Sequence, residues 1–143
     1  MKPLSVPATF MRGGTSKGIF FNLEDLPDRA QEPGPWRDLF LQKVIGSPDP
    51  YQKQIDGMGG ATSSTSKVVI ISPSKQPNHD IDYLFGQVSI DEGFIDWSGN
   101  CGNLSAAVGP FAIANGLIEE SNLDAEFSVV KIWQKNIKKK IVA

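Results

Sequence analysis

The sequence predicts an α+β domain, with a curved sheet of mixed and antiparallel strands wrapped around one central buried helix. Three observations point that way. Residues 103–115 carry Leu104, Ala106, Ala107, Val108, Phe111, Ala112, Ile113 and Ala114, which leave almost no polar face, and a helix apolar all round belongs in an interior. Short β-prone stretches lie on both sides of it. No regular strand-helix alternation and no internal repeat runs through the chain, which argues against a doubly wound sheet or a solenoid.

The elements follow in order. Ala8 to Arg12 and Gly18 to Phe21 are β-prone and are separated by Gly13-Gly14-Thr15-Ser16-Lys17, a turn between paired strands. Pro35 to Gly46 has a helical pattern with Trp36, Leu39, Phe40 and Val44 on a largely apolar face, ended by Gly46 and Pro48. Val68-Val69-Ile70-Ile71 is an apolar β-branched run typical of a buried strand. Tyr83 to Ile90 alternates as a further strand, and Phe94 to Trp97 extends the sheet after a turn at Asp91-Glu92-Gly93. The buried helix follows, with Pro110 expected to bend or restart it and Gly116 to cap it. Glu126 to Trp133 and Lys139 to Val142 complete the strands.

A length of 143 residues suits one domain, residues 1–143, with its own core. Fourteen basic against sixteen acidic side chains give a net charge of −2, so no basic field exists to hold a nucleic acid or an anionic membrane. The expected partner is a small molecule. Cys101 is the only cysteine, which excludes a disulfide within the chain. No apolar run approaches the ~20 residues needed to span a bilayer, and Met1 to Phe10 lacks a secretion signal, so a cytoplasmic setting is expected.

Three polar loops carry the chemistry. The first, Met11-Arg12-Gly13-Gly14-Thr15-Ser16-Lys17-Gly18, offers a guanidinium, two hydroxyls and glycine-freed backbone, a set that suits a carboxylate or phosphate, or equally an ordinary hairpin turn. The second, Gly57 to Lys67, holds the hydroxyl run Thr62-Ser63-Ser64-Thr65-Ser66 and ends on a lysine that opens a buried strand. A lysine there can act as a base or stabilise an enolate; the plainer reading is a Gly/Ser linker with Lys67 in solvent. The third, Ser98-Gly99-Asn100-Cys101-Gly102-Asn103, leads into the buried helix. A thiol at a helix N-terminus has its thiolate favoured by free N–H groups, and the same groups can hold a carboxylate. The polar flanks argue against an inert core cysteine.

Other constellations are weak. Gly57-Met58-Gly59 lacks the third glycine of a dinucleotide fingerprint, and no Walker lysine follows. His79 and Cys101 stand far apart and are too few for zinc, so no metal site is expected, and His79 reads as an exposed loop residue. Trp36, Trp97 and Trp133 read as packing residues.

Read together, MRGGTSKG, DGMGGATSSTSK and DWSGNCGNLSAAVGPFAI resemble the PrpF family of methylaconitate cis-trans isomerases, within the diaminopimelate epimerase-like superfamily. The resemblance runs from about Thr9 to the end. It implies a diaminopimelate epimerase-like, barrel-like domain around a central helix, present here as the N-terminal one of two similar halves, with an active site in the cleft between halves. It implies acid/base roles for Lys67 and Cys101, without fixing which removes the proton. Substrate carboxylate contacts fall on Arg12, Gly13, Gly14, Thr15, Ser16 and Lys17, on Ser64, Thr65 and Ser66, and on Asn100, Gly102 and Asn103. The reaction so implied is cofactor-independent: a proton moves alpha to a carboxylate in an aconitate-like substrate.

The rival within the same chemistry is 4-oxalomesaconate tautomerase. Of another class are a phosphate- or nucleotide-binding module, suggested by the Gly60 to Ser66 run, and an accessory half that pairs with itself as a homodimer or with another subunit.

Overall fold

The computed structural model describes residues 2–124 and 126–143. Chain order is β1 (Thr9–Gly13), β2 (Ser16–Asn22), α1 (Pro35–Ile45), β3 (Lys67–Pro73), β4 (Ile81–Val88), β5 (Ile95–Asp96), α2 (Gly102–Ala114), β6 (Lys131–Gln134) and β7 (Lys139–Val142), with short 3-10 turns between. The strands form one mixed sheet in the order β1-β2-β3-β4-β6-β7, with β5 paired to the end of β4. The β2–β3 and β4–β6 pairs are parallel and the others antiparallel. Each parallel pair needs a crossover. The first carries α1 and the second carries α2.

The alternation of side chains along β3 decides the layering. Val69 and Ile71 face one way with Phe20, Tyr83 and Phe85, and pack on Leu104, Ala107, Val108 and Phe111 of α2. Val68 and Ile70 face the other way with Ile19 and Phe21, and pack on the layer containing Leu41 and Ile45 of α1. Both sides of β3 are therefore dry, which is why four apolar β-branched residues run without a polar interruption.

Several expectations are corrected. The sheet lies between two helices instead of wrapping one, and it is open: β1 pairs with β2 alone and β7 with β6 alone among the described residues, so no barrel closes. Helix α2 buries one broad face, while Ala106, Pro110 and Ala114, spaced one turn apart, are exposed on the other. Pro110 sits inside the helix without ending it. The inward stripe of α1 is Arg37, Leu41 and Ile45, with Leu39 51% exposed. Arg37 turns inward because its guanidinium lies 4.1 Å from the centre of the Trp97 ring and its Nε donates to Asp38. The strand expected from Glu126 shortens to Lys131–Gln134: Phe127 and Val129 are exposed, and Ala125 lies outside the described residues. The first turn is tighter than expected, with Gly13 opposite Ser16, so that Ser16 and Lys17 already belong to β2. Tyr83 to Ile90 becomes Ile81–Val88, since Asp82 and Ile81 register against Ser72 and Pro73.

Candidate active site

The site forms where β2, β3 and α2 begin. β3 starts at Lys67 because the preceding loop is drawn inward by a buried polar hub. Gln54, 1% exposed, donates from Nε2 to Ser66 Oγ at 2.8 Å and to Ser47 Oγ at 3.0 Å, and accepts from the Ala61 N–H at 2.8 Å. Ser66 Oγ in turn donates to the Val88 carbonyl at 2.7 Å. Gln87 closes the loop from outside, donating to the carbonyls of Ser63 and Ser66. With the loop so held, Lys67 enters the sheet opposite Gln87, and only 8% of it is exposed.

Cys101 is the N-cap of α2, in extended conformation, and its Sγ accepts from the Leu104 N–H at 3.4 Å. Lys67 Nζ stands 3.4 Å from the same sulfur, and Ser16 Oγ stands 3.7 Å from it. An amine, a helix-terminal amide and a hydroxyl thus surround one thiol, which places two proton-carrying groups side by side. Gly18 permits the approach: a Cβ there would sit 3.1 Å from the Lys67 carbonyl and from Leu104 Cδ1.

The three loops meet. The Lys17 N–H donates to the Ser64 carbonyl at 2.9 Å, and Asn103 Nδ2 donates to Thr15 Oγ1 at 3.2 Å. Thr62 Oγ1 bonds Ser64 and Thr65 hydroxyls, so that the Thr/Ser run is partly self-satisfied. Lys67, Cys101 and Ser16 converge, and all three are buried. Thr15, Lys17, Asn100, Gly102 and Asn103 are exposed, with Ser64 and Thr65 half-buried. Gly13 is buried against α2, Gly14 is exposed at the turn, and Arg12 is exposed. Ser66 is the residue that departs most from its expected place, since its hydroxyl is spent inside the hub and it is fully buried.

Sequence reading gave Tyr83, Phe85 and Gln87 a place in a strand but no part in the site, and gave Gln54 neither. The alternation of Tyr83 and Phe85 along β4 was the available signal, because it places both on the face that α2 covers. Tyr83 is fully buried, and its hydroxyl and that of Ser105 both donate to the Cys101 carbonyl, at 3.2 and 3.0 Å. Burial, and to a smaller degree the neighbouring Cys101, push the Tyr83 phenol up from its usual range, so it remains a donor. His79 is half-buried, edge-on to Trp133 at 5.3 Å. A separate cavity of about 320 Å³, lined by Leu23, Arg37, Ile70, Leu84 and Trp97, lies on the α1 side of the sheet, away from the thiol. Among the described residues no cluster of three metal-ligating side chains is present, and no helix is long and apolar enough to cross a membrane.

The fold and site together are a mixed α+β scaffold with a buried lysine–cysteine pair at a helix N-terminus. The chain belongs to the PrpF protein family, whose profile matches residues 3–143. It is 67% identical over 140 residues to the 2-methyl-aconitate isomerase of Cupriavidus necator, covering 97% of this chain and 35% of that protein. It is likewise 67% identical over 141 residues to the 2-methyl-aconitate isomerase of Shewanella oneidensis, covering 98% of this chain and 36% of that one. Among solved structures, a methylitaconate-delta-isomerase superposes with a TM-score of 0.85 at 43% identity, covering 96% of this chain and 33% of that chain. The chain therefore spans about a third of the length of the relatives it matches.

Proposed function

We propose that this chain carries the acid/base half of a cofactor-independent isomerase of small unsaturated tricarboxylates, with 2-methylaconitate as substrate, and that residues 1–143 correspond to the N-terminal, diaminopimelate epimerase-like domain of such an enzyme. The observation that carries the reading is the 3.4 Å approach of Lys67 Nζ to Cys101 Sγ beside the first amides of α2. The names of the most similar relatives support it.

The chemistry follows from the substrate. Hydrogens on a carbon between an alkene and a carboxylate are acidic, because their removal spreads charge into an extended enolate. While that charge is delocalised the former double bond rotates, and return of the proton fixes the other geometry. One of Lys67 and Cys101 takes the proton and the other returns one, a role in which a positioned group contributes about 10²- to 10⁴-fold. The amides at the start of α2, with Asn100, Gly102 and Asn103, hold a substrate carboxylate, and Arg12, Gly13, Gly14, Thr15, Ser16 and Lys17, with Ser64 and Thr65, hold another. Ser66 acts on this reading through the loop it anchors. A cytoplasmic location accords with a single unpaired thiol.

The test is hydrogen exchange of trans-aconitate in heavy water followed by NMR. Exchange is expected in the full-length, two-half form and is expected to fall by about 100-fold or more in Lys67→Ala and in Cys101→Ser of that form. Near-normal exchange by both variants would remove the acid/base roles, and tight ATP binding without exchange would favour the nucleotide module.

A further inference from the structure

We propose that Phe85 is a positioning residue for the reaction centre: its ring face holds the Lys67 ammonium in place beside the Cys101 sulfur. The proposal deepens the acid/base reading above but rests on geometry that needs no substrate.

Lys67 Nζ lies 5.0 Å from the centroid of the Phe85 ring and 3.4 Å from Cys101 Sγ. The ammonium thus sits between an aromatic face, which carries negative potential, and a sulfur that becomes negative when ionised. No carboxylate pairs with Lys67 among the described residues. The aromatic face is therefore the feature that offsets part of the cost of burying this cation, and it does so without the competing negative charge that an aspartate or glutamate would bring to the sulfur.

The ring is itself fixed. Phe85 is 4% exposed in the core under α2. Its backbone is gripped at both ends by one side chain: the Phe85 N–H donates to Asn136 Oδ1 at 2.8 Å, and Asn136 Nδ2 donates to the Phe85 carbonyl at 2.7 Å. Asn136 is held in turn by Gln134 Nε2 at 2.7 Å and bonds the Trp97 carbonyl at 2.7 Å. The adjacent inward residue of the same strand, Tyr83, holds the Cys101 carbonyl. β4 therefore reaches both members of the pair, the amine through a ring face and the thiol through a backbone carbonyl, although it supplies no reacting atom.

Cys101 is the only cysteine, so thiol chemistry reports this one atom. The experiment measures the rate constant for alkylation of Cys101 by iodoacetamide at neutral pH in the 143-residue chain. Phe85 is replaced by leucine and, separately, by phenylalanines bearing increasing numbers of fluorines. Fluorination drains the negative face and keeps the ring's shape, so the series stays informative if Phe85→Leu fails to fold. The rate is expected to fall stepwise with fluorine count, by about threefold or more at full fluorination. In a Lys67→Ala background the same series is expected to be flat. A flat series with Lys67 present would overturn the proposal, and so would an equal fall with Lys67 absent, which would mark the ring as mere packing. Because no substrate enters, these outcomes are independent of whether trans-aconitate exchanges.

Discussion

Gly14, at the tip of the first turn, stands directly against the side chain of Asn103 in the first turn of α2. Its φ of +53° lies in the left-handed region, and a Cβ built on it would collide with the Asn103 carboxamide. The same carboxamide donates to Thr15, so one side chain fastens the opening hairpin to the helix that carries the thiol.

Gly14→Ala should therefore cost about 1–2 kcal/mol for the backbone conformation alone, and more for displacing Asn103. Urea unfolding of Gly14→Ala, Asn103→Ala and the double variant measures this. The double variant is expected to be less destabilised than the sum of the singles, because removing the carboxamide makes room for the new methyl group. Strict additivity would show that the two residues do not press on each other.

Gln54 is the hub beneath the hydroxyl-rich loop. Gln54→Leu leaves the Ala61 N–H, Ser47 Oγ and Ser66 Oγ without their shared partner, and is expected to destabilise by about 2–4 kcal/mol at 1–3 kcal/mol per stranded group with partial rehydration. Hydrogen exchange should locate the damage: faster exchange at Ala61 and at the amides around Lys67, with β6 and β7 little changed.

Tyr83 gives a pH dependence with a definite sign. Its phenol is raised from the ordinary 10.0, first by burial and then by Cys101. The folded chain keeps the proton where the unfolded chain releases it. Its contribution to stability is present in full below about pH 10 and is lost as pH rises above that value. Denaturation curves collected at increasing alkaline pH should show unfolding free energy declining more steeply in the parent than in Tyr83→Phe. Parallel declines would remove Tyr83 as a cause.

Phe111 of α2 packs on Phe20 of β2 with ring centroids 5.6 Å apart, and both are buried. Phe111→Ala should cost about 3–5 kcal/mol through lost burial and the cavity left behind. Its thermal midpoint should drop well below that of Ala114→Ser, a change on the exposed side of the same helix.

Much of this was legible in the residues. The run Val68 to Ile71 announced a strand dry on both faces, and the apolar stretch after Asn103 announced α2 to within one residue of its ends. The chemistry-bearing loops were readable because glycine, hydroxyl, lysine and cysteine occur together where periodicity breaks. What was not legible was non-local. Arg37 turned the buried stripe of α1 because Trp97, far along the chain, offers it a flat surface, and no spacing within α1 reveals that. Closure could not be read, because which strands stand at the edges of the sheet is set by pairing between distant segments and not by the pattern within any one strand. Ser66 looked like its hydroxyl neighbours in sequence, and only the position of Gln54 and Val88 separates it from them.

The thiol's three close neighbours come from β2, β3 and α2, and Lys67 alone is 34 residues away from it. No local segment can create that electrostatic setting. In a nascent or partly denatured chain the sulfur lacks the Lys67 amine and the Ser16 hydroxyl, and it meets both only when the parallel β2–β3 seam and the helix have docked. One sulfur atom thus serves as a reporter of whether these distant segments have come together.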